Sequence, residues 1–330
     1  MVTRSDVARH VGVSDAVVSY VLNNKSFVKE ETRMKVLQAI EELGYQPNHT
    51  ARSLKTKKSF QLAVLTNYIG NPFEAGLLLH LEAAARNHGY MITYQSYCDG
   101  REDELKILLA GRVDGIVLLG QSLDAGTREF FLKRNVPMVS VMKQVQGDVV
   151  SVDMDWEAAY LQIIRELVRL GHRHIAFMSH SNLLDPLCCR LEGFMRAMQS
   201  DETFRSMDCT FLTGGGRYET AYQMVMELAE APEFTAVLCA NDLMAIGVNA
   251  ACRSRGWNVP DRLSIIGSEN ILMVSETHPP IAALVYPRSE AAYAAIDILM
   301  QLIAGHSVNS KVLTADFVER PSLAGAAKHS

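Results

Sequence analysis

Three groups of side chains in this 330-residue sequence have the type and spacing to do chemistry. The first is Ser14, Asp15, Ala16, Ser19, Tyr20 and Asn23. If Val17, Val18 and Val21 face inward on a helix, Asp15, Ala16 and Tyr20 face outward. Such a set suits base edges in a DNA major groove, and Ser14, Ser19 and Asn23 suit phosphate oxygens, which position without specifying. The second group is the basic cluster Arg52, Lys55, Lys57 and Lys58, interrupted by Leu54, an apolar side chain with no obvious core to enter. The third is made of the acids Asp153, Asp155 and Glu157 and the triple glycine 214–216. These acids straddle an expected strand end and helix start, where negative charge suits the helix dipole. The glycines lack the GxGxxG or GK[ST] continuation of a phosphate loop. Neither makes a catalytic or nucleotide site, so no enzyme, cofactor or metal is expected.

The elements that would position the first group are short. Thr3 caps a helix of about Arg4 to His10, with Asp6 completing an acidic capping box, and Val7, Ala8 and Val11 recur at helical spacing. Gly12 turns the chain, Ser14 caps the next helix, and Val17, Val18, Val21 and Leu22 form its inner stripe. Small Ala8, Gly12 four residues on and Val18 six beyond that are the pattern of a helix-turn-helix; the plainer alternative is two packed helices of a small bundle. Residues 28–43 read as a third helix with Val36, Leu37, Ile40 and Leu43 on one face, stopped by Gly44. The segment from Asn48 to Lys55 is too short to be a stable helix alone in water.

Size and composition fit two or three compact units of a globular protein. The first 60 residues carry 10 Lys+Arg against 6 Asp+Glu, and the rest carry 22 against 31. A basic head on an acidic body suits a protein that touches phosphate at one end. No apolar run reaches membrane-span length, the N-terminus lacks a signal-peptide stretch, and the six cysteines follow no disulfide or zinc spacing, which together point to a reducing cytoplasm. From Phe60 onward, apolar strands at 60–68, 91–97, 113–120, 136–142, 173–180, 235–241 and 263–270 alternate with amphipathic helices such as 74–88 and 156–170. That alternation predicts parallel sheets covered by helices, two of them in this length, with ligand sites at the carboxyl ends of the strands. By itself it also permits a doubly wound enzyme.

The segments DVARHVGVS, VSYVLNN, EETRMKVLQAIEELGYQPN and ARSL, in that order, closely resemble the lactose/galactose repressor (LacI/GalR) family of bacterial transcription regulators. The resemblance continues through NPFEAGLLLHLEAAARNHGY, GRVDGIVLLG, LGHRHIAF, RLEGFMRAM, TAVLCANDLMAIG, VPDRLSIIGSEN, PPIAALVYP and FVERPS. It implies an all-α helix-turn-helix head at 1–47, a hinge helix and linker at 48–58, and an α/β body at 59–330 like a type I periplasmic binding protein. Lobe 1 is placed at about 59–156 plus 288–305 and lobe 2 at about 157–287, with 311–330 unassigned.

By the same resemblance Asp15 and Ala16 select the operator sequence, and Tyr20 stands where many relatives carry arginine, so operator preference is expected to differ. The bland role for Tyr20 is packing against the third helix. Asn48, Ala51, Arg52 and Leu54 would act in the hinge, with Ala51 at the contact of two hinge helices and Leu54 wedging a base step in the minor groove; the alternative is that Leu54 docks on the body. The resemblance also assigns Phe73, Asp155, Arg190, Asn241 and Glu269 to an effector site between the lobes. Arg190 would grip ligand oxygens, Asp155 and Asn241 would bond hydroxyls, and Phe73 would form an apolar wall. Their structural alternatives are a helix-surface ion pair for Arg190 and a strand-end cap for Asn241. Glu269 in place of the family's usual aspartate, Trp156 in place of asparagine, the triple glycine where relatives often stack a ring, and Cys188-Cys189 before Arg190 leave the ligand open.

The expected protein is therefore a cytoplasmic, homodimeric repressor of a roughly palindromic double-stranded operator, with no membrane partner. A small-molecule effector, sugar or related metabolite, controls it. Too little chain follows FVERPS for tetramer-forming heptads, so a dimer is expected. A solute-binding protein without regulatory role fits the body but leaves the basic head unexplained.

Overall fold

The computed structural model describes residues 2–22, 25–46, 58–66, 69–97, 100–142, 149–180, 189–228 and 232–326. The chain divides into two units, Met1–Ser59 and Phe60–Ser330.

The first unit holds three helices, α1 (Arg4–Val11), α2 (Asp15–Leu22) and α3 (Glu30–Leu43). The Thr3 hydroxyl accepts from the Asp6 N–H at 3.3 Å, while the Thr3 N–H donates to the Asp6 carboxylate at 2.9 Å. Gly12 ends α1 at φ +72°, a conformation in which a Cβ is strained. Ser14 Oγ accepts from the Val17 N–H at 3.4 Å and opens α2. Val7, Ala8, Val18, Val21, Val36 and Ala39 form the buried core. Two expectations need correction. Leu37 is 49 % exposed and Ala39 takes its place, because at 100° per residue position 39 lies closer than 37 to the Val36–Ile40–Leu43 stripe. Val17 is only half-buried, which leaves Val18 and Val21 as the inner contacts of α2.

The second unit begins with β1 (Gln61–Thr66), α4 (Pro72–Asn87), β2 (Met91–Ser96), α5 (Glu102–Leu109), β3 (Gly115–Leu119), α6 (Ala125–Leu132), β4 (Met138–Val141) and β5 (Val150–Met154). It continues with α7 (Trp156–Arg169), β6 (His174–Ser179), α8 (Cys189–Gln199), α9 (Glu202–Arg205), β7 (Asp208–Thr213), α10 (Tyr218–Met226), β8 (Ala236–Cys239), α11 (Asp242–Ser254), β9 (Ser264–Gly267) and α12 (Leu272–Ser275). The last elements are β10 (Ala282–Val285), α13 (Arg288–Ile303), β11 (Lys311–Leu313) and β12 (Asp316–Val318). One sheet runs β11-β5-β4-β3-β1-β2 and the other β12-β10-β9-β8-β6-β7. All pairings are parallel except β10 with β12. Fully buried strands such as β3 and β8 are the near-continuous apolar runs that helix-covered parallel sheets require. The strands β5, β7, β10, β11 and β12 are additional to those expected. β11 and β12 have three residues each, β7 is half-exposed at a sheet edge, and Ser151 and Asp153 interrupt the apolar run of β5, so their apolar signal is weak.

The chain crosses between the sheets at three places: after β5, after β10, and between β11 and β12. Residues at a crossing must lie between the two sheets. Trp156 opens α7 at the first crossing, and Tyr286 leaves β10 at the second. Both are buried in the core cluster that spans the unit, with Phe73, Tyr160, Phe177 and Phe194.

Candidate functional site

In the head, α2 carries the candidate reading surface. Asp15 is the first residue of this helix, where the macrodipole favours its charge. Its carboxylate accepts from the Ser5 hydroxyl at 2.7 Å and lies 3.7 Å from Arg4 Nε, so both helices of the motif fix it. Ser14 and Ala16 are exposed and Ser19 is half-buried. Tyr20 is 40 % exposed and meets the Phe27 ring edge-on at 4.9 Å, so its packing partner is the α2–α3 loop, not α3. Arg33 donates to the Lys25 carbonyl at 2.7 Å and ties that loop to α3. Asn23, Asn48, Ala51, Arg52 and Leu54 lie outside the described residues.

In the body, the strand ends and crossings converge on Arg190, in the first turn of α8. Its Nη1 donates to Glu269 Oε1 at 2.9 Å and to the Ala240 carbonyl. The guanidinium lies 4.6 Å from the Trp156 ring centroid and 5.8 Å from that of Phe73. Phe73 is placed by the Asn71 cap, whose side chain accepts the Phe73 N–H at 3.0 Å, and its ring meets Tyr286 edge-on at 5.2 Å. Exposure is 9 % for Arg190, 2 % for Glu269, 3 % for Trp156, 1 % for Phe73 and 2 % for Tyr286. Gly193 permits this packing: a Cβ there would collide with Trp156, so only glycine lets α8 lie this close to α7.

Glu269 is presented by a loop that Asp242 organises. The Asp242 carboxylate accepts from the N–H groups of Ser268 at 2.9 Å, Glu269 at 3.1 Å and Ile271 at 2.7 Å. Burial raises the Asp242 and Glu269 carboxyls, Asp242 to about 7 with the Glu269 charge adding to it; the Arg190 charge opposes the rise in Glu269. His180, at the end of β6, is pushed down to about 3 by burial and then by the Arg190 charge, so it is neutral.

Two assigned residues are used as caps. Asp155 is exposed, and its carboxylate accepts the Ala158 N–H at 2.9 Å at the start of α7. Asn241 is fully buried; it accepts from the Met244 N–H and donates to the Gly216 carbonyl, both at 2.9 Å, bracing the triple-glycine loop against α11. The buried acid of the 153–157 cluster is Asp153. One of its oxygens accepts from the Met154 N–H at 2.8 Å and from Trp156 Nε1 at 3.1 Å, and the other has no partner among the described residues. Burial, the largest influence, lifts it to about 6. The Tyr286 hydroxyl is likewise buried with no partner among the described residues. Alternation in β5 groups Asp153 with Ser151 on a polar face that the sequence marks as outward and the structure buries, whereas Asp155 falls beyond the strand. Tyr286 carried no such mark, since only the crossing places it.

Residues 3–48 match the family described as bacterial regulatory proteins, lacI family, and residues 164–323 match the periplasmic binding protein-like domain. Catabolite control protein A of Priestia megaterium is 32 % identical over 319 residues, covering 94 % of this chain and 96 % of its own. The HTH-type transcriptional repressor CytR of Escherichia coli (strain K12) is 30 % identical over 322 residues, covering 93 % and 92 %. Among solved structures, the lac repressor dimer bound to operator and the anti-inducer ONPF superposes with TM-score 0.83 at 27 % identity, covering 97 % of this chain and 98 % of its own. The transcriptional regulator CelR–cellobiose complex does so with TM-score 0.70 at 26 % identity, covering 98 % and 100 %.

Proposed function

The chain belongs to the lacI family of bacterial regulatory proteins, and from that premise we propose that it is a homodimeric repressor whose hold on a palindromic operator is set by a small molecule bound at Arg190. The family makes this chain a DNA-binding transcription regulator, not a solute carrier or an enzyme. The observation that carries the rest is the pairing of two separate devices in one chain. Asp15, Ala16 and Tyr20 line one side of a two-helix motif, and a buried cation sits where two parallel sheets meet.

In the proposed division, residues 1–47 read DNA, 48–58 form the hinge and 59–330 bind effector and dimerise. Asp15 and Ala16 address base edges. Asp15 accepts from the exocyclic amine of cytosine, and the Tyr20 hydroxyl and ring serve a neighbouring pair. Ser14, Ser19 and Asn23 hold phosphates. The residue types at Asn48, Ala51, Arg52 and Leu54 support the hinge role, with Leu54 as the minor-groove wedge. Phe73, Arg190 and Glu269 form the effector contact set, while Asp155 and Asn241 support it from their cap positions. Sugar-like molecules suit the reading, since the similar CelR structure is described with cellobiose and another relative with ribose. Two copies place two reading helices in successive major grooves, and the effector shifts the DNA-competent population by its differential affinity for the two states. Among the described residues no helix is long and apolar enough to cross a membrane, and the working place proposed is the cytoplasm.

Selection of bound sequences from a random duplex pool tests this reading. Enrichment of a palindrome with a fixed centre is expected. Leu54→Ala should then weaken binding to the recovered site, and Asp15→Asn should relax preference at one base pair per half-site. No enrichment, with or without a metabolite extract, would overturn it.

A further inference from the structure

The reading surface of the head does not stop at α2. Recognition helices address base edges through their N-terminal residues, and here that end is Asp15. Two residues from the first turn of α1 sit against it. The Ser5 hydroxyl donates to Asp15 Oδ2 at 2.7 Å, and Arg4 Nε lies 3.7 Å from the same oxygen. Both contacts use Oδ2, which leaves Oδ1 to accept from a base amine.

Three observations give Arg4 a task in this place. The helix α2 contains no lysine or arginine, so no side chain on it can make the two-bond contact to guanine O6 and N7, the commonest specific contact in the major groove. Arg4 is the first residue of α1, where the positive end of the helix macrodipole opposes a cation, so helix stability does not account for it. The Arg4 and Asp15 side chains are 43 % and 45 % exposed, so their pairing is too weak to hold the guanidinium away from a stronger acceptor.

Resting on the reading of Asp15 and α2 as the base-contacting surface, we propose that Arg4 reads a guanine in each half-site, with Asp15 as its positioning residue. Asp15 faces the Nε edge of the guanidinium, which directs the two terminal nitrogens, Nη1 and Nη2, to O6 and N7 of one guanine. The 3.7 Å between Arg4 and Asp15 is close to one base-pair rise, about 3.4 Å, so the guanine lies next to the pair that Asp15 reads.

The test repeats the selection from a random duplex pool with the full-length parent and with Arg4→Ala, Arg4→Lys, Asp15→Asn and Asp15→Ala. Affinity is then measured over a salt series on the selected operator and on a duplex with that guanine changed to adenine. The parent should prefer guanine by about tenfold or more beside the pair that Asp15→Asn relaxes. Arg4→Ala and Arg4→Lys should both lose that preference, since an ammonium carries the charge without the planar fork. Asp15→Asn should relax its own pair alone, because an amide oxygen still faces Arg4, whereas Asp15→Ala should relax both. If Arg4→Ala weakens both duplexes equally, lowers the salt slope by about 1 and is rescued by Arg4→Lys, then Arg4 is a phosphate contact and the proposal falls. A palindrome in which Asp15→Asn relaxes one pair while both Arg4 variants leave every preference unchanged would overturn it and leave the reading of α2 intact. No palindrome at all would remove both.

Discussion

Replacing Asp153 with asparagine should change how the body's stability depends on pH, in a direction that follows from its surroundings. The folded chain holds the Asp153 proton up to about pH 6, whereas an unfolded aspartate releases it near 3.8. Between those values the folded state binds more protons than the unfolded state, so stability falls as pH rises through the window and levels off above it. From these two values, Asp153 favours the folded state by about 1.4 kcal/mol more at pH 5 than at pH 8, at 1.36 kcal/mol per pKa unit. Asparagine keeps an oxygen for the Met154 and Trp156 N–H groups and has no proton to lose in that range. It adds an amide where the second oxygen has no partner among the described residues, but that cost is the same at both pH values and cancels in the difference. The assay is urea unfolding of the full chain followed by tryptophan emission, which reports the body alone, because Trp156 and Trp257 both lie in Phe60–Ser330. The gap in stability between Asp153→Asn and the parent should move by about 1.4 kcal/mol in favour of the asparagine variant from pH 5 to pH 8. Parallel profiles, or a shift of the opposite sign, would refute the argument that burial controls this carboxyl.

Three further outcomes are expected. Gly193→Ala drives a methyl into Trp156 and should cost about 1–3 kcal/mol of body stability, read by denaturant midpoint; a cost within error of zero would mean that α8 and α7 are not held at this distance. Arg190→Ala leaves Glu269 buried without its cation and should cost about 3–5 kcal/mol, yet adding Glu269→Gln should recover part of it; strictly additive losses would remove the ion pair from the account. Gly12→Ala has open space around its new methyl but keeps φ +72°, so the head should lose about 1 kcal/mol in thermal melting from backbone strain alone. An unchanged melt would show that the turn relaxes.

Much of the fold was legible because local chemistry and long-range packing agree. Thr3, Asp6, Gly12 and Ser14 state where two helices begin and end, and the structure uses each in that way. The error at Leu37 came from trusting hydrophobicity over angle: an exposed leucine and a buried alanine exchange places when the stripe is narrow. Strands of three residues, such as β11 and β12, show no pattern in the sequence because too few alternations fit within them. The candidate site was legible only in part. Arg190, Phe73 and Glu269, which motif resemblance groups, lie together in the structure, while Asp155 and Asn241 have local work as helix caps.

Local interactions are written along the chain, and so the sequence by itself determined the helix-turn-helix, the alternating α/β body, the basic head on an acidic body and the family. What tertiary structure decided is who meets whom at the crossings. Trp156 and Tyr286 are separated by 130 positions, and no periodicity relates them; they meet because the chain changes sheets at both points. The same holds for Arg190 and Glu269, whose contact depends on α8, the end of β9 and the loop fixed by Asp242 arriving together. A carboxylate near a guanidinium in space, with water removed by three aromatic rings, is a property of packing. That packing turns two ordinary charged residues into a buried ion pair.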